Sequence, residues 1–271
     1  MSHAPVAVIL AAGLGSRMRD ASAPATLTDA QRAVATLGIK GMIPDGRGRP
    51  FLDHVLSALA DGGVREACLV VGPEAGAIKD HFQQAGARRV RVSFAVQPTP
   101  TGTADAVLAA APWAAGRDFL VLNADNLYPS QAIGALVELG RPGLVAFDSE
   151  VLVRQGNIPA DRMASYAILG LRDDDTLMAI IEKPSARDIE QMASHWISMN
   201  LWRFDTTILD ACRDVVPSPR GERELPLAVA LAVARGARLD VVRMAAGVLD
   251  LSHRGDIADV ARRLADREIA P

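Results

Sequence analysis

Gly13, Gly15 and Arg17 follow the apolar run 6–10 within "VAVILAAGLGSRMRD" (6–20), and that combination suits an oxygen anion. Glycines without a Cβ let backbone N–H groups approach a phosphate, and a guanidinium adds a fork of donors. The same corner reads equally well as a glycine turn with solvated arginines. It lacks the third glycine of a dinucleotide fingerprint and the G-K-[ST] of a P-loop, which weakens both of those readings. The chain has 29 basic residues, of which only Lys40, Lys79 and Lys183 are lysines. An ammonium is a compact point charge that often meets phosphate, so a lysine kept against an arginine bias is a candidate ligand; codon usage accounts for any one of them as well.

Three further polar stretches carry candidate chemistry: "QPTPTGTADAV" (97–107), "LNADNLYP" (122–129) and "IEKPSA" (181–186). Singly, each has an ordinary explanation. Asp125 can be a turn aspartate, Thr101 or Thr103 a helix N-cap, and Glu182 with Lys183 an exposed charge pair before a proline.

The elements that would position these groups are legible from the apolar pattern. Runs at 6–11, 66–72, 89–96, 118–123 and 143–147 are apolar on both faces, as strands buried in a parallel sheet are. Helical patterns at about 51–61, 74–85, 102–112 and 130–140 separate them, which is a βαβ rhythm. After residue 150, "ASYAILGLR", "LMAIIEK" and "WISMNLWRF" predict strands with short connections, in antiparallel or mixed pairing, and "ELPLAVALAVARG" predicts a helix in the C-terminal third. The fold class is α/β, a Rossmann-like mixed, mainly parallel sheet flanked by helices, in one domain spanning 1–271 with a helical C-terminal elaboration from about 206. Ligands of such sheets bind beyond the carboxyl ends of the strands, where Gly13, Thr101, Asp125 and Lys183 all fall. Residues 19–39 break the rhythm. Thr28 and Gln31 are spaced as a capping box for a short helix ending near Gly38, with Ala33, Val34 and Leu37 expected on one side. This excursion is either a lid that closes over a ligand or a helix packed on the sheet edge.

Composition removes several classes. With 271 residues, 49% hydrophobic and a net charge of −3, the chain has neither the basic excess of a nucleic-acid binder nor the low hydrophobicity of a disordered protein. The opening "MSHAPVAVILAAG" carries no basic leader and its apolar run is too short to span a membrane, so a cytoplasmic location without membrane association is expected. Cys68 and Cys212 are expected as buried free thiols, and five scattered histidines argue against a His-based metal cluster.

Taken in order, the stretches resemble the sugar-1-phosphate nucleotidyltransferases, the NDP-sugar pyrophosphorylases of the GT-A-like nucleotidyltransferase fold, from about residue 6 to 262. "LAAGLGSRM" resembles their signature loop and "IKGMIPDGRGRPFLDHVL" their lysine-bearing segment. "VQPTPTGTADAV" is similar to their base-binding stretch, "LNADN" to their metal-binding strand end and "EKP" to their sugar-phosphate motif. "SMNLWRF" matches their next pocket strand and "GVLDLSHRGDIADV" the late aspartate followed by a helix. The resemblance implies that Ala11, Ala12, Gly13, Gly15 and Arg17 hold a triphosphate, that Lys40 helps neutralise it, and that Gln97, Gly102 and Thr103 bind the base. It implies that Glu182, Lys183 and Asn200 receive the sugar phosphate, with Arg17, Lys40 and Lys183 as the catalytic cations, and that Asp125 and Asp250 hold Mg²⁺. The implied partners are an NTP and a sugar or cyclitol 1-phosphate, with a homo-oligomer left open.

Joining two anions requires positioned cations and an in-line attack on the α-phosphorus, and a phosphate oxygen needs no Ser, Cys or His to activate it. Ile39-Lys40 replaces the usual Pro-Lys, and Ala167 stands where many relatives carry a glycine against the sugar. Other classes share parts of the pattern: a catalytically inactive nucleotide-sugar-binding regulatory protein, a cytidylyl- or molybdopterin guanylyl-type transferase, and a glycosyltransferase, which would show a D-x-D motif where this chain has "NADN".

Overall fold

The computed structural model describes residues 5–22, 25–85, 89–192 and 194–271. β1 (Val6–Leu10) leads into one helical turn, α1 (Ser16–Arg19), then α2 (Asp29–Leu37), a 3-10 turn (Lys40–Met42) and α3 (Phe51–Asp61). Next come β2 (Glu66–Val71), α4 (Gly76–Ala85), β3 (Arg91–Val96), α5 (Thr103–Ala114), β4 (Phe119–Asn123), β5 (Asn126–Leu127), α6 (Ser130–Leu139) and β6 (Gly143–Asp148). The second half holds α7 (Ser149–Gln155), a 3-10 segment (Ala160–Ser165), β7 (Ala167–Leu171), β8 (Leu177–Ile181), α8 (Ala186–Met192) and β9 (Trp196–Phe204). It closes with α9 (Ile208–Asp214), α10 (Leu225–Ala234), β10 (Asp240–Met244), β11 (Leu249–Asp250) and α11 (Asp256–Leu264).

The main sheet runs β10-β6-β9-β4-β1-β2-β3, with the β7–β8 pair attached through β9. Its strands are apolar on both faces because both faces are covered. Ala7, Ile9, Leu69, Leu120, Leu122 and Phe147 point into a core shared with α3, α6 and α11. Val6, Val8, Cys68, Val121, Leu144 and Trp202 point into a second core with α5, α9 and α10. Cys68 and Cys212 are buried free thiols, and burial pushes them up to about 11 and about 12.

β9 is the antiparallel strand of the central order, inserted between β4 and β6 rather than added at an edge. One side of β9 keeps β6 along its length. The other changes neighbour: Val121 of β4 pairs with Trp202, whereas Ala167 of β7 pairs with Ser198. Asn200 lies between them at φ +58°, in a bulge where the β6 register also slips. Asn200 thus stands where β9 passes from β4 to β7 as its neighbour, beyond the carboxyl end of β4. β5 and β11 form a separate two-stranded ribbon that pairs Asn126 with Asp250.

The capping box at Thr28 and Gln31 forms as the spacing predicts, and α2 ends at Gly38 in the left-handed region. Its inward face differs from the expected one. Gln31 and Ala35 are buried, Ala33 is exposed and Leu37 is 63% exposed. Gln31 fixes the rotation, because its side chain accepts from Thr28 N–H and donates to the Pro44 carbonyl, so that side must face the protein. Ala23 and Pro24 of the excursion lie outside the described residues.

Candidate functional site

The signature loop turns at Gly15, whose φ of +62° is left-handed. A Cβ there would run into the backbone of Gly38, so α2 is docked on the loop. Gly13 faces open space, the condition for a backbone that meets a ligand. Ala11 is tied down by its N–H to the Val70 carbonyl at 2.8 Å, and Ala12 is half-buried beside it. Arg17 extends from α1 to the ring Nε2 of His253 at 3.1 Å, which joins the loop to the turn after β11.

Lys40 and Asp125 meet at the carboxyl edge. Nζ donates to Oδ2 at 2.7 Å, and both side chains are largely withdrawn from water. Asp125 is placed by the turn between β4 and β5, and its carbonyl accepts from Leu251 N–H at 2.8 Å. That bond and the ribbon set Asp250 beside it. Asp250 is 1% exposed, and its Oδ2 accepts from Asn126 at 3.1 Å and from the Tyr166 hydroxyl at 2.9 Å. Its Oδ1 accepts from the Ser252 N–H at 2.8 Å and from Arg162 at 3.2 Å. Burial and the Asp250 charge push the Tyr166 phenol far up, so it stays a proton donor.

Hard oxygen donors of this kind fit a magnesium ion, which takes one or two carboxylates together with phosphate oxygens. Asp125 fits directly, since among the described residues no hydrogen bond reaches its Oδ1. Asp250 brings the right donor chemistry, but every acceptor position on it is engaged by the chain. Among the described residues no third metal-ligating side chain joins the pair.

The third group surrounds Gln97. Its Nε2 donates to the Gly102 carbonyl at 2.9 Å. Gly102 is fixed by the fold as well: at φ +128°, a Cβ would strike the backbone of Arg223. The Thr103 hydroxyl is likewise engaged, accepting from Leu225 N–H at 2.7 Å. These two residues therefore receive the 223–225 segment, and Arg223 joins Gln97, Thr99, Thr101, Asp105 and Leu108 in lining an open cavity of about 720 Å³.

The fourth group is the exit of β8. β8 returns antiparallel to β7, pairing Ile181 with Ile168, which in turn faces Ile197 of β9, so Glu182 and Lys183 emerge two strands from β9 at the level of Ser198. Lys183 is exposed and held at φ +49°, an uncommon conformation for a side chain other than glycine. Glu182 is pushed up to about 7 by burial first and then by the charge of Glu224, which itself pairs with Arg220 at 2.8 Å. Asn200 holds its Oδ1 buried without a partner among the described residues, and the carbonyls of Met199 and Asn200 both receive the Tyr128 hydroxyl, at 2.6 and 3.4 Å.

Arg162, Tyr166, Asn157 and His253 did not stand out in the sequence. Arg162 and Tyr166 lie 88 and 84 positions from Asp250, too far for local spacing to link them. His253 stood inside the late-aspartate stretch, where its reach to Arg17 has no local signal.

The fold and the site define a nucleotide-handling α/β protein with cations and carboxylates gathered at one sheet edge. The chain belongs to the Nucleotidyl transferase family, which it matches over residues 6–265. It is 29% identical over 258 residues to the UTP–glucose-1-phosphate uridylyltransferase AglF of Haloferax volcanii, covering 95% of this chain and 96% of that one. It is 26% identical to a glucose-1-phosphate thymidylyltransferase of Streptomyces antibioticus, covering 94% of this chain and 65% of that protein. It is 29% identical to the bifunctional protein GlmU of Methanococcus vannielii, of which it spans 45%. A UDP-glucose pyrophosphorylase solved with UDP-glucose has the same fold, with a TM-score of 0.77 at 14% identity over 98% of this chain and all of that one. Among the described residues no helix is long and apolar enough to cross a membrane.

Proposed function

We propose that the protein transfers a nucleotidyl group from an NTP to a sugar or cyclitol 1-phosphate, giving an NDP-sugar and pyrophosphate. The observation that carries this reading is the meeting of Lys40 with Asp125 at 2.7 Å beside Asp250, on the edge where the signature loop and the β8 exit also arrive. A phosphate oxygen of the acceptor attacks the α-phosphorus, the bond between that phosphorus and its β-bridging oxygen breaks, and pyrophosphate leaves with the electron pair. Gly13, Gly15 and Arg17 hold the triphosphate, and Lys40 shares its charge between Asp125 and the phosphates. Gln97 faces the base, and Lys183 aligns the acceptor phosphate while Glu182 and Asn200 take its hydroxyls. Asp125 and Asp250 would hold Mg²⁺, which supplies charge neutralisation at the phosphates.

The relatives named as uridylyl- and thymidylyltransferases of glucose 1-phosphate make UTP or dTTP with glucose 1-phosphate the first pairs to try. The test is pyrophosphate release over a grid of NTPs and sugar or cyclitol 1-phosphates with Mg²⁺. Release with one preferred pair, reversible on adding pyrophosphate, is expected. No release anywhere on the grid, with tight NTP binding, would leave a nucleotide-sugar-binding regulator instead.

A further inference from the structure

Two donors on Asp250, Arg162 and Tyr166, come from one segment, and a third residue of that segment clamps the Asp250 backbone. Asn157 donates to the Asp250 carbonyl at 2.8 Å and accepts from the Asp250 N–H at 2.7 Å. Residues 157–166 are therefore pinned to the end of β11 at three points. The pins differ in kind. Asn157 and Tyr166 are neutral, whereas Arg162 brings a full charge to a carboxylate that water scarcely reaches.

Arg162 is shared. One guanidinium nitrogen donates to Asp256 at 2.7 Å and the other reaches Asp250 at 3.2 Å, so the longer contact is the one on the candidate metal ligand. An arginine with a second carboxylate in hand can release the first without becoming a lone buried cation, which is the usual barrier to opening such a pair. Lys40 is likewise the ion-pair partner of Asp125. Both carboxylates are thus already neutralised by the chain's own cations.

Resting on the assignment of Asp125 and Asp250 to a divalent ion, we infer that Arg162 is a resident counter-ion of Asp250, which has to move onto Asp256 before Asp250 can take that ion. The bare protein then binds a divalent cation weakly, and the phosphates of the nucleotide make up the ligand set. Arg162 acts through Asp250 and is a positioning residue.

Mn²⁺ reports this without turnover, because free and bound ion differ in their electron paramagnetic resonance signal. Titrated into the full chain without nucleotide, Arg162→Met and Arg162→Gln should each bind Mn²⁺ roughly tenfold more tightly than wild type, since a competing charge is gone. Arg162→Gln keeps a hydrogen-bond donor and guards against misfolding of the first variant. Asp256→Asn should act in the opposite direction, leaving Arg162 wholly to Asp250 and weakening Mn²⁺ binding. Adding Asp125→Asn to either Arg162 variant should remove the gain. Equal affinities in wild type and Arg162 variants, no measurable binding in any of them, or a gain that survives Asp125→Asn would overturn the inference. Pyrophosphate release does not enter this measurement, so the nucleotidyl-transfer reading and the counter-ion stand or fall separately.

Discussion

Asp250 and Glu182 are both carboxylates withdrawn from water at the same sheet edge, and the chain treats them in opposite ways. Asp250 has four donors, one of them charged. Glu182 receives no hydrogen bond among the described residues and faces Glu224, so burial and like charge push it up to about 7. At the ribbon corner the oxygens of Asp250 are all engaged by the chain, and only Asp125 Oδ1 receives no hydrogen bond among the described residues. The β8 exit instead carries an uncommon backbone conformation at Lys183, φ +49°, next to a carboxyl without a hydrogen-bond partner among the described residues.

Removing the two ribbon carboxylates should break the comparison most. Asp125→Asn is expected to lower kcat by roughly 10²–10³-fold while leaving the melting temperature near wild type, because Asp125 is partly exposed and has one side-chain partner. Asp250→Ala should lose turnover and also cost about 3–5 kcal/mol of stability, since Arg162, Tyr166 and Asn126 all lose a buried acceptor. Parallel kinetics and thermal melts separate the two; an Asp250→Ala protein that melts with wild type would show the network to be dispensable.

At the other corner, Lys183→Arg should raise the KM for the acceptor roughly tenfold with the NTP KM little changed, because a planar fork does not replace a compact ammonium. Lys183→Gly should abolish acceptor use yet stabilise the fold by about 1 kcal/mol, the cost of a left-handed non-glycine residue. A drop in stability instead would show that the lysine side chain supports the fold.

Glu182→Gln sharpens the contrast through pH. Glu182 titrates higher in the folded state than in the unfolded one, so the native protein holds the extra proton between about 4.5 and about 7. Stability conferred by that proton is full below the unfolded value and is lost as pH rises through about 7. The glutamine variant should therefore melt roughly 2–4 °C above wild type at pH 8 and converge with it toward pH 5. A constant difference across that range would count against the buried carboxyl.

The smallest effect is expected in residues 19–39. With α2 docked on Gly15, trypsin should cut slowly at Arg32 and almost equally with or without Mg²⁺ and NTP. Strong protection by nucleotide would instead show a lid that opens and closes.

Strands buried on both faces, such as Val6–Leu10 and Phe119–Asn123, leave a plain apolar signal, and a capping box leaves a local one; both were legible. β10 was not, because its run "DVVRM" is broken by Arg243, which pairs with Asp175 on the sheet edge. The β5–β11 ribbon has two residues a side, too few for any period. Asp125, Lys183 and Asp250 drew attention in the sequence because the stretches around them resemble those of the family. Arg162 could not: its meaning lies in a carboxylate 88 positions away. The contacts of Gly102 and Thr103 with the 223–225 segment were not legible for the same reason, since spacing along the chain carries no information about a distant backbone.

The insertion of β9 between β4 and β6 also dictates an order of assembly. β3, β2, β1 and β4 can pair as soon as residue 123 has left the ribosome, but the hydrogen bonds on the far side of β4 wait for residues 202–204. Until then "FLVLN" is an apolar sheet edge without a partner, the kind of surface that joins to other chains. β6 and β10 cannot reach the first block except through β9. Refolding from denaturant should therefore be slow at its last step and sensitive to protein concentration, with β9 as the strand whose arrival ends the risk.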